Sequence, residues 1–211
     1  MKNIYLNIFK SNLGNIKKAK KNLENNNVIG IPTETVYGLG GNAYSNKAVQ
    51  KIFKLKKRSN LNPLIIHFKN ASSLKNDVII NKNFRKLYRA FCPGPITFIL
   101  NKTKNSKISK IATVGKKTIA IRIPKHNVAK NLLNMLNFPI AAPSANISLK
   151  LSPTSAIDVI EEFGKKINFV LDGGQCKIGL ESTIIDLTGK PIILRPGYIT
   201  PENIEKILKQ K

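Results

Sequence analysis

Polar clusters rich in glycine, proline or serine stand at the end of almost every short apolar run in this chain. That punctuation constrains the fold more than any other feature. The clusters are PTETVYGLGG (32–41), KLKKRSNLNPL (54–64), PSAN (143–146), LSPT (151–154), LDGG (171–174), GLEST (179–183) and LRPG (194–197). Short apolar runs bounded in this way read as buried strands. Seven such loops, each against a strand, point to one cleft where they converge.

Helical patterns fill the intervals. Residues 12–25 predict a basic helix, the Asn-Asn-Asn at 25–27 a turn, and 28–32 a buried strand ended by Pro32. Ser45 is placed to cap a helix over 46–57 with Ala48, Ile52 and Leu55 on one face. Residues 64–68 predict a strand, 82–91 a helix stopped by the Pro-Gly-Pro at 93–95, and 96–100 and 118–123 further strands. The basic, weakly patterned stretch 101–117 reads as a mobile loop. Residues 127–136 predict a helix and 139–142 a short strand. Thr154 is placed to cap a helix over 155–163 closed by Gly164. Strands follow at 167–171, 182–187 and 191–195, then a helix capped by Thr200 with Pro201 at its first position. Tight hairpins and longer crossovers together imply a mixed α+β (α/β) fold with one sheet of parallel and antiparallel strands. At 211 residues, with no repeat or long linker, 1–211 is expected to form a single domain.

The formal net charge is +25. It fits a polyanionic partner, RNA or a nucleotide, and it equally fits compositional drift, since Lys, Asn and Ile are all abundant. The apolar runs are too short to span a bilayer, and the N-terminus lacks a signal-peptide pattern. A soluble, cytoplasmic chain without a membrane partner is expected. Cys92 and Cys176 lie far apart, match no metal spacing and are expected to be reduced thiols.

Several residues carry chemical promise. Gly38 to Ala43 matches a dinucleotide-binding fingerprint, but neither the preceding strand nor the distant acidic residue is in place. No P-loop is present. Lys56, Lys57 and Arg58 close a predicted helix, where they read either as dipole-matched cations or as a phosphate clamp. Ser144 and Asn146 follow Pro143 and suit a turn or a bound polar group. Arg122 shares a strand face with Thr118 and Ala120, and an arginine among apolar neighbours calls for an anionic partner. His67, inside a strand, reads first as a satisfied core residue. Glu34, Asp172, Glu181 and Asp186 supply acids without metal-binding or acid–base spacing.

Taken in order, the motifs resemble the YrdC-like threonylcarbamoyl-AMP synthase family, in its short single-domain form. The matching pieces are PTETVYGLG, Lys56 and Arg58 with NPL at 62–64, PGPIT (93–97), IRIP (121–124) and PIAAPSAN (139–146). SPT (152–154), LDGG (171–174), GLESTIID (179–186) and LRPG (194–197) complete the set. The resemblance implies a twisted mixed sheet with helices on both sides and a basic concave cleft. It implies a nucleotidyltransferase that joins L-threonine, bicarbonate and ATP, with Mg2+, into threonylcarbamoyl-AMP and pyrophosphate. The product would pass to the tRNA threonylcarbamoyl-transferase machinery, and direct tRNA contact is left open. By the same resemblance Thr35, His67, Arg122, Ser144 and Ser182 would surround threonine. Lys56, Arg58, Asn62, Thr118, Asn146, Ser152, Thr154 and Arg195 would hold ATP, with Lys56 and Arg58 closest to the chemistry. No protein metal ligand is assigned. Cys92 stands where the family often has Trp, and Leu149 where it commonly has Gly; a Leu there implies an altered loop if that position has positive φ. Two alternatives remain: a non-catalytic RNA-binding relative, and a paralogue that carbamoylates another substrate.

Overall fold

The structure is a computed structural model that describes residues 4–59 and 61–209. Among the described residues, ten strands form one sheet: β1 (Ile8–Lys10), β2 (Ile29–Ile31), β3 (Gly38–Asn42), β4 (Ile65–His67), β5 (Ile96–Asn101), β6 (Thr118–Arg122), β7 (Ile140–Ala141), β8 (Val170–Asp172), β9 (Thr183–Asp186) and β10 (Ile192–Arg195). Their order across the sheet is β1-β8-β2-β3-β7-β4-β6-β5-β9-β10. Parallel pairs (β1/β8, β2/β8, β4/β6, β5/β9) mix with antiparallel ones, as the interleaved hairpins and crossovers imply.

The helices α1 (Leu13–Glu24), α2 (Asn46–Lys56), α3 (Lys82–Phe91), α4 (Asn127–Met135), α5 (Ala156–Phe163) and α6 (Pro201–Leu208) pack on the sheet. Strand alternation gives the sheet two apolar faces. Ile29 and Ile31 of β2 meet Ile16, Ala19 and Leu23 of α1 and Leu132 and Leu133 of α4. Between them, Gly30 faces Val159 of α5. Val159 belongs to the second core, with α2, α3 and α6. Helices therefore cover both sides. Among the described residues, no helix is long and apolar enough to cross a membrane.

Most predicted elements form within two residues of their expected bounds, and Ser45 and Thr200 cap α2 and α6 as expected. Four expectations are corrected. Gly38–Asn42 is a strand, not a loop: its glycines let Ile31, Ile140, Ile52 and Ala48 close onto the backbone. Ile8–Lys10, which had no assigned element, pairs with β8. The strand expected at 167–171 begins at Val170. The cap of α5 is Ser155, whose hydroxyl accepts from Asp158 N in a capping box, while Thr154 only tightens it by donating to the Asp158 carboxylate.

The stretch 101–117 is also tied down. Ile108 and Ala112 are buried, Ser109 donates to Asn46 at 2.6 Å, and Ser106 Oγ and Lys107 N donate to Asp77. Its backbone gaps are closed by the neighbouring elements, and that was invisible in its polar composition.

Candidate active site

The cleft floor is built from β4 and β6, which run parallel in register, with His67 opposite Arg122. Its walls come from the loops after β2, α2, β7 and β8, and from Arg195 at the end of β10. Two cavities result. An inner one of about 90 Å³ is lined by Thr33, His67, Arg122, Ser144 and Ser182, among others. An outer one of about 440 Å³ is lined by Lys56, Lys57, Asn62, Asn146, Ser152 and their neighbours. Arg58, Ser144 and Glu181 line both, so the two are continuous.

Arg122 is 4% exposed. Its Nη1 donates to Thr35 Oγ1 at 2.8 Å, and its Nη2 lies 2.7 Å from Glu34 Oε1. That second contact is close enough for an ion pair but is not aligned as a hydrogen bond, so Nε and Nη2 hold N–H groups with no hydrogen-bond acceptor. The Nε/Nη2 edge of a guanidinium is the fork that receives a carboxylate through two bonds. His67 beside it is buried, with Nδ1 unpartnered. Burial, reinforced by the Arg122 charge, pushes its pKa down to about 3, so the ring is neutral at physiological pH.

Opposite Arg122, Ser182 Oγ shares a hydrogen bond with Thr97 Oγ1 at 2.8 Å and accepts from Arg195 Nη2 at 3.1 Å. Arg195 also pairs with Glu181 and donates to Ser182 O. Ser152 Oγ donates to the other Glu181 oxygen at 2.9 Å. Burial would raise the Glu181 carboxyl. Arg195, the Ser152 and Ser144 hydroxyls and Lys56 outweigh that and hold it below the ordinary carboxylate range. Gly197 allows this packing, since a Cβ there would lie 2.5 Å from both Glu181 O and Thr183 N.

Lys56 departs most from what its sequence position suggests. It is 1% exposed, and its Nζ donates to Ser144 O at 2.5 Å and Asn146 O at 2.6 Å. Desolvation, helped by the Arg58 charge, lowers its pKa to about 8 against the pull of Glu181 and Glu162. Arg58 bends back on its own loop, donating to Asn62 O at 3.1 Å and Pro63 O at 3.2 Å. Between them Lys57 is exposed, in the left-handed conformation that ends α2.

Of the residues expected to surround threonine, His67, Arg122, Ser144 and Ser182 come together in the inner cavity. Thr35 stands behind Arg122, and Thr33 takes the wall position because the loop turns its hydroxyl to Val36 O and Thr35. Lys56, Arg58, Asn62, Asn146 and Ser152 line the outer cavity, and Arg195 the inner. Two expected ATP contacts lie outside both linings. Thr118 sits four residues before Arg122 at the far end of β6, and the Thr154 hydroxyl is engaged by Asp158 and Gln175. Sequence reading passed over Thr33, Thr97 and the bridging role of Glu181. The GLEST cluster marked Glu181's neighbourhood but not its partner.

The Sua5/YciO/YrdC family model, described as telomere recombination, matches residues 21–197. A threonylcarbamoyl-AMP synthase from Pyrococcus abyssi is 46% identical, over 86% of this chain and 53% of the relative. Another from Bacillus subtilis is 42% identical, over 92% of this chain and 56% of the relative. The crystal structure of P. abyssi Sua5 complexed with L-threonine aligns with a TM-score of 0.90 at 42% identity, covering 96% of this chain and 60% of that one. The chain thus spans about half the length of these curated relatives. With the matching motifs and the cleft they build, this places the chain in the Sua5/YciO/YrdC family.

Proposed function

We propose that the protein condenses L-threonine, bicarbonate and ATP into threonylcarbamoyl-AMP and pyrophosphate, for transfer to tRNA by a separate threonylcarbamoyl-transferase machinery. The observation that carries this reading is the pair of continuous cavities. One presents a buried guanidinium, held by Thr35 and Glu34 with its Nε unpartnered, among small hydroxyls, and the other is basic. A small amino acid with a free carboxylate suits the first, and a nucleoside triphosphate suits the second. The relatives' names and the threonine complex of the P. abyssi protein support the same assignment.

In this reading Arg122 takes the threonine carboxylate through its Nε/Nη2 edge. Thr35 and Glu34 hold that guanidinium, while neutral His67, Thr33 and Ser182 face the rest of the molecule. The threonine amine adds to carbon dioxide derived from bicarbonate and loses a proton, giving a carbamate. A carbamate oxygen attacks the α-phosphorus, the bond to the bridging oxygen breaks, and pyrophosphate leaves. No protein nucleophile is needed. The protein's contribution is to align two anions and to offset their charge as the new bond forms. Arg58, with Asn62, Asn146 and Ser152, lies along the triphosphate path.

The described residues do not offer a resident metal centre. No three His, Cys, Asp or Glu side chains cluster, and the Glu181 oxygens are engaged by Ser152 and Arg195. Magnesium enters this reading with the substrate as MgATP, carried on its phosphates. Any direct tRNA contact would be electrostatic, so its affinity should fall steeply as salt rises.

The test is pyrophosphate release with threonine and bicarbonate omitted in turn. Release should need both. An equal rate without threonine removes the assignment, and salt-insensitive binding to one RNA sequence with no ATP turnover favours the RNA-binding alternative.

A further inference from the structure

The outer cavity has one wall that the phosphate-binding account does not use. The turn 147–150 is pinned on every side: Ser148 N donates to Lys56 O, Ile147 N to Glu162 Oε1, and Asn146 Nδ2 to both Ile147 O and Lys150 O. At its apex Leu149 holds φ +73. That region disfavours residues with a Cβ, and glycine occupies it without penalty. Yet the side chain is 105% exposed, with no apolar neighbour to compensate. Leu61 and Leu151, beside the lining residues Asn62 and Ser152, are 78% and 95% exposed.

Leu149 is also the lone apolar side chain among the described residues that line this cavity; the rest are charged or polar. Next to it, Ser148 Oγ is buried without a hydrogen-bond partner. A triphosphate has no use for an apolar side chain, whereas a nucleoside has an apolar ring face beside polar edges that a hydroxyl can meet. We infer that Leu149 packs on the nucleobase of the bound nucleotide, and that Ser148 meets the nucleoside's polar edge. This makes Leu149 a positioning residue for ATP, and it rests on the function proposed above. Because a leucine side chain covers a ring without reading its edge, the contact adds affinity for the base rather than choice among bases.

The experiment compares binding of ATP and of inorganic tripolyphosphate, which has the phosphates but no base, by calorimetry on the full chain. Covering about half of a leucine side chain corresponds to about three- to tenfold in affinity. Leu149→Ser should weaken ATP by that factor and leave tripolyphosphate unchanged, Leu149→Met should restore ATP binding, and the KM for threonine should not move. Equal weakening of both probes, or unchanged ATP binding, overturns the inference. So does a wild-type protein that binds ATP no better than tripolyphosphate. Threonine-dependent pyrophosphate release on the same samples tests the activity separately: its absence, with ATP selectivity intact and lost in Leu149→Ser, overturns the activity and upholds the base contact.

Discussion

Replace Lys56 with alanine, and Ser144 O and Asn146 O lose the amine that donates to them at 2.5 and 2.6 Å. Hydrogen bonds from a charged donor contribute about 1.5–3 kcal/mol each, so the two together are worth about 3–6 kcal/mol. Three buried methylenes of the stem add about 2 kcal/mol. Against this stands the desolvated charge. Depression of the amine from 10.5 to about 8 means that the protonated form sits about 3 kcal/mol less comfortably than in water. The net loss is about 2–5 kcal/mol, which for a chain of this size lowers Tm by about 4–20 °C. An exposed cation at this position would change stability by almost nothing when removed, whereas Lys56 is buried. Thermal melts of Lys56→Ala beside Lys57→Ala separate the two, because Lys57 is exposed and its loss should leave Tm unchanged.

A second arm uses pH. Below about pH 8 the Lys56 amine is protonated in both folded and unfolded chains, and the full penalty of burial applies. Between about 8 and 10.5 the unfolded chain keeps a proton that the folded chain has shed, so this group's contribution to stability rises with pH. The stability of wild type relative to Lys56→Met should therefore grow by about 3 kcal/mol across that window. Parallel pH curves for the two proteins, or an Ala variant that melts with wild type, would refute the reasoning.

Three further outcomes follow from the site. Arg122→Lys keeps the charge beside Glu34 but loses the two-bond edge, so the KM for threonine should rise about ten- to a hundredfold with Tm close to wild type. Arg122→Ala, by contrast, should cost about 3–5 kcal/mol, because it leaves the Glu34 carboxylate buried without a counter-charge; equal melts for the two variants would contradict this. The pH profile of kcat/KM should show no limb from His67 between pH 5 and 8, since its pKa is held at about 3; a limb in that range abolished by His67→Gln would sink the neutral-ring assignment. Ser152→Ala, which frees an oxygen of Glu181, should raise the KM for ATP, whereas Thr154→Val should leave it unchanged; the reverse ranking in steady-state kinetics would show that the cavity wall is drawn wrongly.

Sequence marked where the cleft lies, but not which charges within it are free. Caps and glycine stops are local chemistry, so Ser45, Thr200 and Gly164 could be read directly. The strand Gly38–Asn42 could not, because its stability comes from isoleucines on other strands closing over bare backbone. The same gap separates a cation's presence from its availability. Arg122 is engaged by Glu34 and Thr35, Arg195 by Glu181 and Ser182, and Lys56 by two carbonyls, and each partner lies far away in sequence. Arg58 differs: its bonds go only to its own loop, at Asn62 and Pro63, and it lines both cavities. It can turn toward a phosphate without leaving a buried partner uncompensated, which Lys56 cannot. The motif's two cations therefore differ in kind: Lys56 fixes the shape of the 144–146 loop, and Arg58 is the charge that the proposed function would bring to the triphosphate.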